Sequence, residues 1–164
     1  MNMNKKLTST DKHFLTLCID LAEEALKAGD KPFGSILVDK DGNILAQARN
    51  KVNALNALAH PEYELAAWAL NNLTSEQRRQ STMYTSGEHC PMCAGAHGMA
   101  GIGTVVYAGS GRQLNEWLEE FGVAPTAINL IPIEDVVKDI TVRGPAEGEL
   151  LERIKRLHRK VYTT

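Results

Sequence analysis

Residues 81–109 read "STMYTSGEHCPMCAGAHGMAGIGTVVYAG". "STMYTS" is a short strand rich in β-formers, "CPMCAGAHGMAGIG" is a helix of small residues with glycines at its end, and "TVVYAG" is a second, apolar strand. Two strands joined through a helix pair in parallel, because the crossover must carry the chain back along the sheet. This unit therefore sets an α/β architecture.

Working outward from it gives the remaining elements. Upstream, "PEYELAAWALNNL" is rich in helix formers and closes at Asn71-Asn72. Before it, "GSILVDKDGNILAQARN" reads as a hairpin, with apolar runs Ser35-Val38 and Ile44-Ala48 on either side of Asp41-Gly42. The chain starts with N-cap chemistry at Ser9, Thr10 and Asp11. Phe14, Leu17, Cys18, Leu21 and Ala25 follow at helical spacing, and Gly29 stops the helix. Downstream, "GRQLNEWLEEFG" is a short amphipathic helix and "AINLIPI" is expected as a further strand. In the final helix Leu150, Ile154, Leu157 and Val161 share one face. The order predicts a three-layer αβα fold, with a mixed sheet covered by helices on both faces. No repeat or domain boundary interrupts it, so residues 1–164 read as one domain.

Composition narrows the function classes. Hydrophobic residues are 43% and charged residues 23% of the 164, as in ordinary globular proteins. A formal charge of -2 provides no global field for nucleic acid. Three cysteines do not make a secreted disulfide framework, and "MNMNKKLTSTDK" has no apolar region behind its lysines. No apolar run reaches membrane-spanning length. The expectation is a cytoplasmic chain with reduced thiols.

Cys90-Pro91-Met92-Cys93 sits between strand and helix. Taken alone it fits a redox dithiol at a helix N-terminus, a zinc site, or two buried cysteines. His60-Pro61-Glu62 alone fits a plain helix start, since proline suits the first helical position and glutamate the first turn. Together they offer more. A catalytic zinc takes three protein ligands and keeps a fourth position for water; His60, Cys90 and Cys93 supply three. Glu62 would then stand near that water without being a ligand, placed to take and return a proton.

The H-x-E then C-x-x-C pattern resembles the zinc-dependent nucleobase and nucleoside deaminases of the cytidine deaminase fold. The resemblance runs from "KPFGSILVDKDGNILAQARN" to "TVVYAG" and is strongest in "MYTSGEHCPMCAGAH". Within the family the chain is most similar to guanine deaminases and tRNA adenosine deaminases, which also carry P-F-G before the first strand and an asparagine after the second. The resemblance implies a five-stranded mixed sheet, one Zn2+ per chain on His60, Cys90 and Cys93, Glu62 as proton carrier, and a homodimer or higher homo-oligomer. It also implies that Asn50 hydrogen-bonds the base, that Phe33 lines the pocket, and that the Ser86 carbonyl meets the departing amine.

Three residues depart from the family pattern. Pro61 replaces the usual alanine, His89 replaces proline, and Gly87 stands where guanine deaminases have cysteine. The backbone N–H between the histidine and glutamate commonly donates to the base in this family, and Pro61 has none. His89 is expected at the pocket rim, as a loop residue or a substrate contact. His13, His97 and His158 have no partner motif; Trp117 suits either a pocket lid or a helix packed on the sheet.

The expected reaction is deamination of a free nucleobase-like small molecule, guanine-like bases leading, with tRNA adenosine or cytosine/cytidine deamination as alternatives. A CxxC dithiol oxidoreductase is the rival from another class. It leaves His60 and Glu62 without a role. "GSGRQLNEWLEEFG" carries three glutamates and one arginine, a poor rim for RNA phosphates. The stretch from Glu147, with five basic and three acidic residues, reads as a solvated helix face.

Overall fold

The computed structural model describes residues 6–163; part of the opening stretch read for a leader lies outside these residues. The cap of helix α1 (Ser9–Lys27) lies one residue before the expected Ser9, Thr10 and Asp11. Thr8 is the N-cap, its hydroxyl accepting from the Asp11 N–H while the Asp11 carboxylate accepts from the Thr8 N–H. Gly29 ends it with a φ of 91°. Strand β1 (Gly34–Val38) begins where the sheet passes closest to α1: a side chain at Gly34 would run into the Cys18 carbonyl. That contact accounts for the glycine of P-F-G.

Strand β2 (Ile44–Arg49) pairs antiparallel with β1. The turn between them is wider than a two-residue hairpin. The Asp39 carboxylate accepts from the Asp41 and Asn43 N–H groups, and Gly42 has a φ of 85°. Helix α2 (Pro61–Asn72) is followed by a short helix α3 (Ser75–Arg79) that the sequence reading did not anticipate; Thr74 and Gln77 cap it reciprocally. Then come β3 (Thr82–Gly87), α4 (Pro91–Ala100), β4 (Thr104–Gly109) and α5 (Gly111–Glu120). A 3-10 turn (Ile133–Asp135), β5 (Thr141–Arg143) and α6 (Gly148–Tyr162) complete the described chain.

"AINLIPI" is not a strand. Pro132 has no N–H for a ladder, and the Ile133 N–H is taken by a Glu88 carboxylate oxygen at 2.9 Å. Ile128 and Ile131 stay exposed, and Ile133 alone of the three isoleucines is buried. The fifth strand is the three-residue "TVR", too short for a periodicity reading to find.

Among the described residues five strands form one sheet in the order β2-β1-β3-β4-β5. The β1–β2 and β1–β3 pairs are antiparallel; β3–β4 and β4–β5 are parallel, as the 81–109 crossover predicts. Alternation along the strands divides two helical layers. Ile36, Val38, Tyr84, Val106 and Ala108 pack on α1, Trp117 of α5 and α6. Leu37 and Met83 pack on α2 and α4, and Val105 and Tyr107 on α4 with Ile133. The expected three-layer αβα fold is present. Ser35 and Thr85 fall on the α2/α4 side of this alternation and are cross-strand partners.

Candidate metal and catalytic site

Two helix starts converge here. His60 is the N-cap of α2 and Cys90 the N-cap of α4, each followed by a proline, and neither side chain caps its own helix. Both are thus free to face the gap between the helices. Cys93 lies one turn further along α4 and is buried. One donor atom from each of His60, Cys90 and Cys93 falls within 4.8 Å of the other two.

The spacing fits a metal. Zinc bonded at about 2.3 Å to sulfur and about 2.0–2.1 Å to nitrogen in tetrahedral geometry needs S···N separations of about 3.6 Å. His60 Nδ1 lies 3.6 Å from Cys90 Sγ and 3.5 Å from Cys93 Sγ. Cys93 and His60 hydrogen-bond the Cys90 thiolate and hold its pKa below the usual thiol range despite burial; the same bond, with burial, drives Cys93 up. The bond to Cys90 in turn raises His60. A dication favours both thiolates, since the thiolate is the ligand form.

Glu62 lies in the first turn of α2 and is 4% exposed. Burial raises its pKa; the His60 charge and the Thr85 hydroxyl work the other way without cancelling the rise. The carboxylate also lies against the Cys93 thiol. The Thr85 hydroxyl is 3.0 Å and the Ser35 hydroxyl 3.4 Å from Glu62 Oε1. The sequence reading missed both of these residues. Their only signal was a hydroxyl at a buried position two residues from a core Leu37 or Met83 on the same strand face.

The remaining expected site residues divide. Asn50 is buried; its Oδ1 accepts from the Val52 N–H at 3.0 Å, so its amide N–H donors are what it can offer a ligand. Its loop is pinned by Asp30, which accepts from the Asn53 and Ala54 N–H groups and from Arg49. Burial opposes the Asp30 charge, but these donors together hold its pKa below the ordinary value. Phe33 is half-buried; its carbonyl accepts from the Asn50 N–H. Ser86 is buried, with its hydroxyl accepting from the Gly34 N–H. Phe33 and Ser86 line a cavity of about 10 Å³, room for about one water, together with Glu88, Trp117 and His158. Trp117 is a packed core residue there and not an open lid. A larger depression of about 510 Å³ between α5 and residues 123–130 contains none of the expected site residues.

His89 is not at a rim. It is 2% exposed, and its Nε2 lies 3.1 Å from His97 Nδ1. His97 Nε2 lies 3.0 Å from the Ile102 carbonyl, which can only accept. With both rings neutral, His97 therefore carries its proton on Nε2 and receives one from His89 Nε2. His89 Nδ1 is left as a bare acceptor, and it is buried without a partner. His97 follows Cys93 by one helical turn of α4, whereas His89 lies in the loop before that helix, so the pairing left no signal in the sequence. Glu88 is also structural: its two carboxylate oxygens accept from the Gly111 and Ile133 N–H groups, tying α5 and the 3-10 turn to the end of β3.

A three-layer fold that presents an imidazole, two thiols and a buried glutamate at two helix starts fits a zinc hydrolase site. Residues 8–109 match the cytidine and deoxycytidylate deaminase zinc-binding region. The chain belongs to this deaminase family, and its activity is zinc-dependent hydrolytic deamination. It is 31% identical over 120 residues to a probable cytosine deaminase of Schizosaccharomyces pombe, covering 73% of each chain. With guanine deaminase of Bacillus subtilis it is 40% identical over 97 residues, 58% of this chain and 62% of the other. Bacterial tRNA-specific adenosine deaminases match at 29 to 32% identity. A solved guanine deaminase from Nitrosomonas europaea superposes with a TM-score of 0.67 at 20% identity, over 99% of this chain and 90% of that one, a likeness of fold.

Proposed function

We propose that this chain deaminates a free nucleobase or related heterocycle, guanine-like, with His60, Cys90 and Cys93 as zinc ligands and Glu62 as proton carrier. The observation that carries the reading is the ligand spacing beside a buried carboxylate only two residues from His60. Zinc held there supplies a Lewis acid that lowers the pKa of water to about 7. Glu62 takes one proton of the attacking water and delivers it to the leaving nitrogen. The water oxygen bonds to the amino-bearing ring carbon, the C–N bond breaks, ammonia departs, and the second water proton ends on the ring nitrogen. Asn50 donates to the base, Phe33 bounds the pocket, and the Ser86 carbonyl faces the departing amine. His89, turned toward His97, acts on substrate only through the loop it shares with Cys90.

A small substrate is favoured over tRNA by the state of the cations on α6. Arg153 pairs with Asp20 and Glu23, Lys155 and Arg159 with Glu120, and Arg156 with Glu149. Basic side chains engaged in this way leave less positive surface for a phosphate backbone. The 40% identity to a guanine deaminase favours guanine among the free bases. We further read residues 1–164 as one deaminase domain acting in the cytoplasm as a homodimer or larger homo-oligomer; no described helix is long and apolar enough to cross a membrane.

Ammonia release from guanine, isocytosine, cytosine, adenine, their nucleosides and a tRNA substrate tests the reading. Turnover of guanine above the nucleosides and the RNA is expected. Preference for the RNA at every salt concentration would overturn it.

A further inference from the structure

We propose that Thr85, backed by Ser35, is the positioning residue for Glu62. A buried chain of two hydroxyls holds one carboxylate oxygen and leaves the other to the reaction. The inference rests on the reading of Glu62 as proton carrier and adds what keeps it aimed.

Ser35 and Thr85 are cross-strand partners on β1 and β3, and both are fully buried. The two hydroxyl oxygens lie 2.8 Å apart. Both approach the same carboxylate oxygen, Oε1, Thr85 at 3.0 Å and Ser35 at 3.4 Å. Thr85 Oγ1 is also 3.0 Å from the Gly87 carbonyl.

Two hydroxyl protons must serve these contacts. Ser35 donates along its short contact to Thr85, which frees the single Thr85 proton for Glu62 Oε1 or for the Gly87 carbonyl. An ionised carboxylate wins that competition, because a charge-assisted bond is roughly twice as strong as a neutral one. While Glu62 carries the proton, the Gly87 carbonyl is an equally near acceptor. Thr85 thus stays hydrogen-bonded at both stages of a proton transfer, and neither stage strands a buried hydroxyl. The strand backbone fixes both oxygens, so the carboxylate is aimed from rigid elements and not from a loop.

The apolar alternation around them makes the placement informative. Leu37 and Met83, the next residues on the same face of each strand, are packed core. Two buried hydroxyls in such a face cost stability unless hydrogen-bonded, and the partner they converge on is Glu62.

The test compares Thr85→Val, Thr85→Ser, Ser35→Ala and the Thr85→Val/Ser35→Ala pair with wild type and Glu62→Gln, reading kcat, KM and bound zinc on the holoenzyme. Thr85→Val keeps the β-branched shape and removes the hydroxyl. It is expected to lower kcat about 10- to 100-fold, the equivalent of one hydrogen bond to a charged group. KM and zinc content should stay within about twofold, since the bond removed touches neither substrate nor a zinc ligand. Thr85→Ser should restore most of the loss. Ser35→Ala should cost about 3-fold alone and nothing further beside Thr85→Val, as members of one chain do not add. Wild-type kcat in Thr85→Val, equal losses in Thr85→Val and Thr85→Ser, or loss of zinc in step with activity would each overturn the proposal. If Glu62→Gln is itself fully active, the proton-carrier reading fails. If Glu62→Gln is inactive and Thr85→Val is not, the positioning role alone fails.

Discussion

Pro61 is buried at the first position of α2, between a ligand candidate and the proton carrier. It serves the helix well, and it leaves no backbone N–H donor between His60 and Glu62. Restoring that N–H in Pro61→Ala should change the order of kcat/KM among guanine, isocytosine, cytosine and adenine by about 10-fold for a base with an acceptor there. An unchanged order would show that the donor's absence has no part in selection. His158 makes a different prediction. Burial, helped by the nearby Lys31 charge, pushes its pKa down to about 4 from 6.5. Between those values the unfolded chain binds a proton that the folded chain refuses, so stability falls as pH drops through this window. At about pH 5 this residue alone should account for about 2 kcal/mol of lost stability relative to neutral pH. His158→Phe should flatten that part of the urea-midpoint profile, and a variant as acid-sensitive as wild type would contradict the assignment.

At the scale of elements, the Asp11 carboxylate joins three pieces of chain distant in sequence. It accepts from the Thr8 N–H at the start of α1, from the Tyr84 hydroxyl on β3, and from two nitrogens of Arg143 on β5. Asp11→Ala leaves a buried hydroxyl and a partly buried guanidinium without their acceptor, so denaturant unfolding should register a loss of about 3 kcal/mol. A loss below about 1 kcal/mol, the value of a surface pair, would show that the network holds little. Strong local signals made most elements legible in the sequence: the glycine stop of α1, the apolar run of β1, the β-formers of β3, and the prolines that open α2 and α4. The 3-10 turn and β5 were not legible. Their conformation follows from Glu88 capturing the Ile133 N–H across the fold and from Val142 packing on β4, neither of which leaves a local pattern.

The whole molecule brings two helix starts to one point, and the sequence motifs named those helix starts correctly because metal chemistry restricts both residue type and spacing. What the motifs could not name was the surroundings. Ser35 and Thr85 meet Glu62 only through sheet register, and His89 meets His97 only where the loop before α4 folds back against that helix. A ligand set is written locally, whereas its support is written in tertiary contacts. The account stands on zinc and Glu62 acting together. The most direct measurement is ammonia release from guanine by wild type and Glu62→Gln, each with its zinc content determined. The account predicts one zinc per chain in both proteins and a loss of about 10²- to 10⁴-fold in kcat for the variant, the range of a general acid–base group. Full turnover in Glu62→Gln, or in wild type after complete removal of zinc, would contradict it.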